Sequence, residues 1–190
     1  MRVIDTELKD AVLIIPKRFN DMRGYFTETF NRKKLDEHIG SFNVVQMNVS
    51  KSRQGVFRGL HFQRPPFTQA KIVEAIKGTV KVVIVDIRTD SPTFGKYQGF
   101  FLDENDGWQL FVPRGFAHGF ETLSISSKFQ YKVDNDYSPA HEGGIVYNDP
   151  DLDIEWGVEM FSMNDRDKQH PRFSEQTFWS EAEYHANPLG

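Results

Sequence analysis

Apolar and polar residues alternate along this chain in short bursts, with almost no helical rhythm. The runs 11–15, 25–30, 44–50, 56–63, 70–76, 79–86, 97–102, 108–112, 119–123 and 128–133 are rich in Val, Ile, Phe and Tyr and are set off by Gly, Pro, Asn or Asp. Period-two alternation over so few residues predicts half-buried strands, and turns at this spacing predict an antiparallel sandwich or barrel. The segment 32–39, RKKLDEHI, breaks the pattern and predicts a short helix that Gly40 ends. Residues 16–24 read as a polar turn carrying Asp21 and Arg23. After Trp156 the strand rhythm fades, 175–185 predicts a closing helix, and residues 1–190 read as one all-β domain with a few short peripheral helices.

Composition narrows the function classes. At 190 residues the chain is long enough to bury roughly 70% of its unfolded surface in one core, and 17 Phe among them fit a β-rich interior. A net charge of -4 without a basic run argues against nucleic acid as a partner. The absence of cysteine excludes disulfides, Cys-ligated zinc and thiol nucleophiles. The N-terminal apolar run ends at Pro16, too short for a membrane span or a signal peptide, so a cytoplasmic protein without membrane attachment is expected.

The densest chemistry lies between Gly55 and Gly78, where Arg58, His61 and Lys71 sit among strand-forming residues. Simple alternation sends Arg58, Leu60 and Phe62 to one face and His61 and Gln63 to the other. Two neighbouring cations disfavour a protonated imidazole, which makes His61 a candidate general base.

Two spacings carry a resemblance. Gly107 to His118, GWQLFVPRGFAH, reads G-x5-P-x-G-x2-H, and Gly55 is followed after five residues by His61. These resemble the two motifs of the cupin superfamily, which implies an antiparallel jelly-roll barrel with His61 and His118 at its mouth. Gln63 stands where metal-binding cupins supply a second histidine, and Lys71 adds a positive charge nearby. No metal and no cofactor are therefore expected.

The blocks RGYFTETF (from Arg23), VVQMNVSKS (from Val44), RGLHFQ (from Arg58), DIRTDSPTFG (from Asp86), PRGFAHGF (from Pro113), YKVDNDYSPAHEGGIVYNDPDLDIEW (from Tyr131) and RDKQHP (from Arg166) narrow this further. Together they resemble the dTDP-4-dehydrorhamnose 3,5-epimerase family over about residues 3–173. The resemblance implies an isomerase that inverts the carbons flanking a C4 ketone in a dTDP-linked 6-deoxy sugar. It implies His61 as base, Asp167 behind it, Tyr131 as proton donor and Lys71 at the enolate oxygen. Asp165 competes with Asp167 for the place behind His61, fitting the distance from Ser162 where Asp167 fits the distance to Pro171. The matched substrate contacts are Arg23, Glu28, Gln46, Met47, Asn48, Arg58, His118, Glu142 and Arg166, with Tyr137 stacking on the base. Met47 falls between two of them where Asp is common, and Arg166 where Lys is common. The resemblance also implies a homodimer, with the N-terminal strands, about 1–30, at its interface. A one-position epimerase, a ketoisomerase or a sugar-binding cupin without catalysis are the competing readings.

Overall fold

The predicted strands assemble into two facing antiparallel sheets, in a computed structural model that describes residues 1–157 and 162–186. The chain opens with β1 (Arg2–Asp5), β2 (Val12–Ile15) and a hairpin of β3 (Arg18–Asp21) and β4 (Gly24–Thr27), followed by helix α1 (Arg32–Ile39). Next come β5 (Gln46–Arg53), β6 (Phe57–Gln63), β7 (Lys71–Lys77), β8 (Thr79–Asp86) and β9 (Tyr97–Asp103). The rest is β10 (Gln109–Val112), β11 (Phe116–Thr122), β12 (Ser126–Val133), β13 (Glu142–Gly144), α2 (Asp165–Lys168) and α3 (Glu181–His185). One sheet has the order β1-β2-β10-β7-β12-β5 and the other β13-β6-β11-β8-β9, while β3 and β4 form a separate two-stranded sheet and, among the described residues, pair only with each other. This is the jelly-roll barrel expected of a cupin.

Side-chain alternation explains the layers. Val80, Val82 and Ile84 on β8 point inward and meet Val73, Leu110 and Phe129 of the other sheet, while Val83 and Val85 point outward. Outward residues of a strand this apolar need their own cover. Leu152, Phe178 and Tyr184 of the C-terminal segment provide it. On the opposite side, Leu35 of α1 and Phe42 cover Ile14 and Ile72. Each such buried side chain contributes on the order of 1.5–3 kcal/mol.

Several sequence boundaries are corrected by pairing partners. The stretch read as a polar turn at 16–24 is half strand, because β3 and β4 satisfy one another's backbone across a tight turn at Asp21–Gly24. That pairing ends at Thr27, so Glu28 lies beyond the strand predicted to reach Phe30. The closing helix is only α3, preceded by a single 3₁₀ turn at Phe173–Glu175. Of the tail predicted from 157 onward, 158–161 and 187–190 lie outside the described residues. No helix among the described residues is long and apolar enough to cross a membrane.

Candidate active site

A cavity of about 400 Å³ opens between the sheets at one end of the barrel, and His61, Lys71, His118, Tyr131 and Asp167 all border it. His61 comes from β6 in the five-stranded sheet, whereas Lys71 and Tyr131 come from β7 and β12 in the other. The imidazole and the phenol thus enter from opposite walls.

Arg58 also borders this cavity, contrary to simple alternation. Between β6 and β11, Arg58 pairs with Phe120 and His61 with His118, so three steps on one strand face two on the other. The extra residue is a bulge, which reverses facing beyond it and brings Arg58 to the same side as His61. Gly59 permits it. Its φ is +128°, and a Cβ there would stand 2.5 Å from the Gly119 Cα.

Asp167 reaches His61 through the tail. The Phe57 N–H donates to the Ser162 carbonyl, which aligns the segment with β6, and the Asn164 side chain then caps α2 by accepting from the Asp167 N–H at 2.6 Å. Asp167 is fully buried, whereas Asp165 is 89% exposed and pairs with Lys168. Geometry therefore decides between the two carboxylates. Asp167 Oδ1 lies 2.7 Å from His61 Nε2, and Oδ2 accepts the Gly59 N–H at 3.1 Å. Burial works to raise the Asp167 carboxyl, but contact with His170 and the hydrogen bond of His61 outweigh it and hold the group well below the usual carboxylate range. An ionised Asp167 only accepts, so His61 Nε2 is the donor of this bond, and in a neutral ring Nδ1 is then the nitrogen that accepts.

Across the cavity, burial pushes the Lys71 ammonium down to about 8, against the pull of Glu142 and Asp134. Two permanent cations were the sequence expectation, and Lys71 is instead a cation close to neutrality. Burial likewise raises the Tyr131 phenol and keeps it protonated. His118 stacks on Phe129 with ring centroids 5.9 Å apart, and burial followed by the Lys71 and His61 charges holds it well below its ordinary range.

Gln46 and Asn48 face the cavity from β5 and bond to each other at 2.9 Å. Met47 faces outward between them and is 56% exposed, so the strand period removes it from the predicted contacts. Glu142 and Tyr137 form the rim, joined by a short hydrogen bond from the Tyr137 hydroxyl. Arg166 pairs with Glu142 at 2.8 Å from outside and does not border the cavity. Arg23 and Glu28 are not brought to it either: Arg23 is 85% exposed and paired with Asp21, and Glu28 binds Lys34 and Asn31. The sequence reading missed Asn164, Gln69 and Ser50, which line the cavity. For Asn164 the signal was present, an Asn three residues before an Asp at a helix start.

The cupin metal position does not fit an ion. The Gln63 amide donates to the carbonyls of Phe67 and Asp136 and accepts the Ser138 N–H, so both of its polar atoms are engaged in bracing a loop.

Barrel and cavity, taken with the relatives that share them, define a cupin-type isomerase. The chain belongs to the dTDP-4-dehydrorhamnose 3,5-epimerase family, whose family model matches residues 5–175. It is 44% identical over 180 residues to the Shigella flexneri enzyme of that name, covering 94% of this chain and 99% of the relative. The Elizabethkingia anophelis crystal structure of the same name superposes with a TM-score of 0.90 at 43% identity, covering 94% of this chain and 99% of that one. An epimerase from Legionella pneumophila, solved in complex with dTDP-4-keto-L-rhamnose, superposes with a TM-score of 0.87 at 39% identity, covering 91% and 93%.

Proposed function

We propose that this chain converts dTDP-4-dehydro-6-deoxy-D-glucose to dTDP-4-dehydro-L-rhamnose by inverting C3 and C5. The observation that carries this reading is the pairing of His61 with buried Asp167 on one cavity wall, opposite Tyr131 on the other. A C–H bond beside a ketone is acidic because its electron pair delocalises onto the carbonyl oxygen as an enolate. His61 Nδ1 takes that proton, and the imidazolium formed is held by Asp167. Lys71 stabilises the negative oxygen from within a buried wall, where a fixed charge acts with little screening. Tyr131 then gives its hydroxyl proton to the opposite face of the carbanion, which inverts the centre; His61 releases the abstracted proton to solvent and Tyr131 is reprotonated from solvent, so both are restored. A second enolisation on the other side of the ketone repeats the cycle.

In this reading Arg58, Gln46, Asn48 and His118 hold the substrate inside the cavity, and Tyr137 and Glu142 take the base at the rim. Arg23 and Glu28 serve the cavity of a second copy. The outlying β3–β4 hairpin supports this, because it exposes Phe19, Met22, Tyr25 and Phe26, an apolar face that a homodimer would cover. The proposed setting is the cytoplasm. Incubation of the substrate in D₂O tests the reading. Deuterium at both C3 and C5 of inverted product is expected; label at one carbon would indicate a one-position epimerase, and label at neither would refute catalysis by this cavity.

A further inference from the structure

Behind the His61–Asp167 pair stands a second imidazole that the reaction does not use. The His170 side chain is 9% exposed, and its Nε2 is 3.6 Å from Asp167 Oδ1, beyond hydrogen-bond length. That buried nitrogen has no hydrogen-bond partner among the described residues. Its ring meets the His61 ring edge to face, with centroids 5.6 Å apart. Gly144 makes the space, since a Cβ there would overlap the His170 ring. One ligand atom from each of His61, Asp167 and His170 lies within 4.8 Å of the other two.

We propose that His61, Asp167 and His170 form an inhibitory site for a transition-metal dication of the Zn²⁺ class. Two imidazoles and one carboxylate are a donor set that Zn²⁺ accepts at about 2.0–2.2 Å, with further positions left to water. A tetrahedral ion at those distances holds its donors roughly 3.3 Å apart, so His170 Nε2, 3.6 Å from Asp167 Oδ1, is already close to such a spacing, and His61 Nε2, at 2.7 Å, would part slightly from that oxygen. The site differs from the cupin metal position, because His170 comes from the tail and neither His118 nor Gln63 takes part. An entry path exists: His170 also borders a shallow outer hollow with Gly144 and Pro171, where the positive Arg64 and Arg166 are balanced by Glu142 and Asp165.

The ion would inhibit through tautomerism, a step that rests on the role of His61 given above. With the ion on Nε2, a neutral imidazole carries its proton on Nδ1, so the proton shifts between the two nitrogens through solvent. The nitrogen that should accept a substrate proton then becomes a donor.

Calorimetric titration of the metal-free chain with Zn²⁺ alone, in a non-coordinating buffer, tests the site. One ion per chain is expected, with affinity reduced about tenfold or more in His170→Gln. Co²⁺ in place of Zn²⁺ should give intense visible absorption in the unaltered chain, a readout that does not depend on how well the variant folds. Zn²⁺ should also stop epimerisation reversibly in the unaltered chain and far less in His170→Gln. Equal affinity in a correctly folded His170→Gln, loss of binding on replacing the exposed residues His38 and His185 instead, or no stoichiometric binding would each overturn the site. Tight binding at His170 without inhibition would leave the site standing and refute His61 as the base.

Discussion

Replacing Lys71 by methionine should make the protein more stable and much less active. The side chains have similar length, so the exchange removes the charge with little change in packing. Burial holds the Lys71 ammonium at about 8 rather than its ordinary 10.5. That difference corresponds to about 3 kcal/mol by which the folded state disfavours the protonated form, an upper bound on what Met recovers at neutral pH. The sign follows from proton linkage. Between pH 8 and 10.5 the unfolded chain binds the Lys71 proton and the folded chain has released it, so folding stability rises with pH across that window. Below the window the full penalty is present. Urea unfolding at pH 7 should therefore show a higher midpoint for Lys71→Met with an unchanged slope, and the variant should lose the alkaline rise of the parent. Turnover should fall about 10²- to 10³-fold, as when a preorganised charge is removed from a developing oxyanion. The parent's rate should decline above pH 8 as Lys71 loses its proton, a limb the variant should lack. A Lys71→Met protein that is less stable at pH 7, or that keeps parental turnover with the same alkaline limb, would refute this account of the buried cation.

The base and the acid should fail differently. In D₂O, His61→Asn is expected to lose both exchange and inversion, whereas Tyr131→Phe should retain exchange with retained configuration, each change costing about 10²- to 10⁴-fold in inversion. Loss of exchange and inversion in equal measure in Tyr131→Phe would remove it as the late acid. Asp167→Asn should lower kcat by about 10²- to 10⁴-fold, because an amide no longer fixes the proton on Nε2, while Asp165→Asn, altered on an exposed residue, should match the parent in the same assay. Treatment with a strong chelator should preserve or raise the rate; activity lost on chelation and restored by iron or zinc would contradict a reaction carried by side chains alone. Light scattering at micromolar concentration should report a dimer, and a fully active monomer would dissociate Arg23 and Glu28 from the neighbour's cavity.

Local chemistry alone determined much of this molecule. The helix Arg32–Ile39 has the bounds read from its sequence because Asn31 caps its start and Gly40, at φ +71°, its end, both effects acting within a turn. Strand β8 likewise has its predicted bounds, since its Val and Ile run is apolar on both faces whatever lies against it. The family blocks brought His61 and Tyr131 into view, and the dense stretch from Gly55 to Gly78 brought Lys71, for the same reason: identity and spacing are carried by the chain itself. Other features depend on partners far away in sequence. A bulge fixed by pairing with β11 turned Arg58 to the side of His61. The choice of Asp167 over Asp165 needed the tail to run beside β6, and β3 became visible as a strand only through its pairing with β4. The proton affinities of Lys71 and His118 were beyond the sequence, because both owe their shifts first to burial between two sheets that the chain forms only when folded.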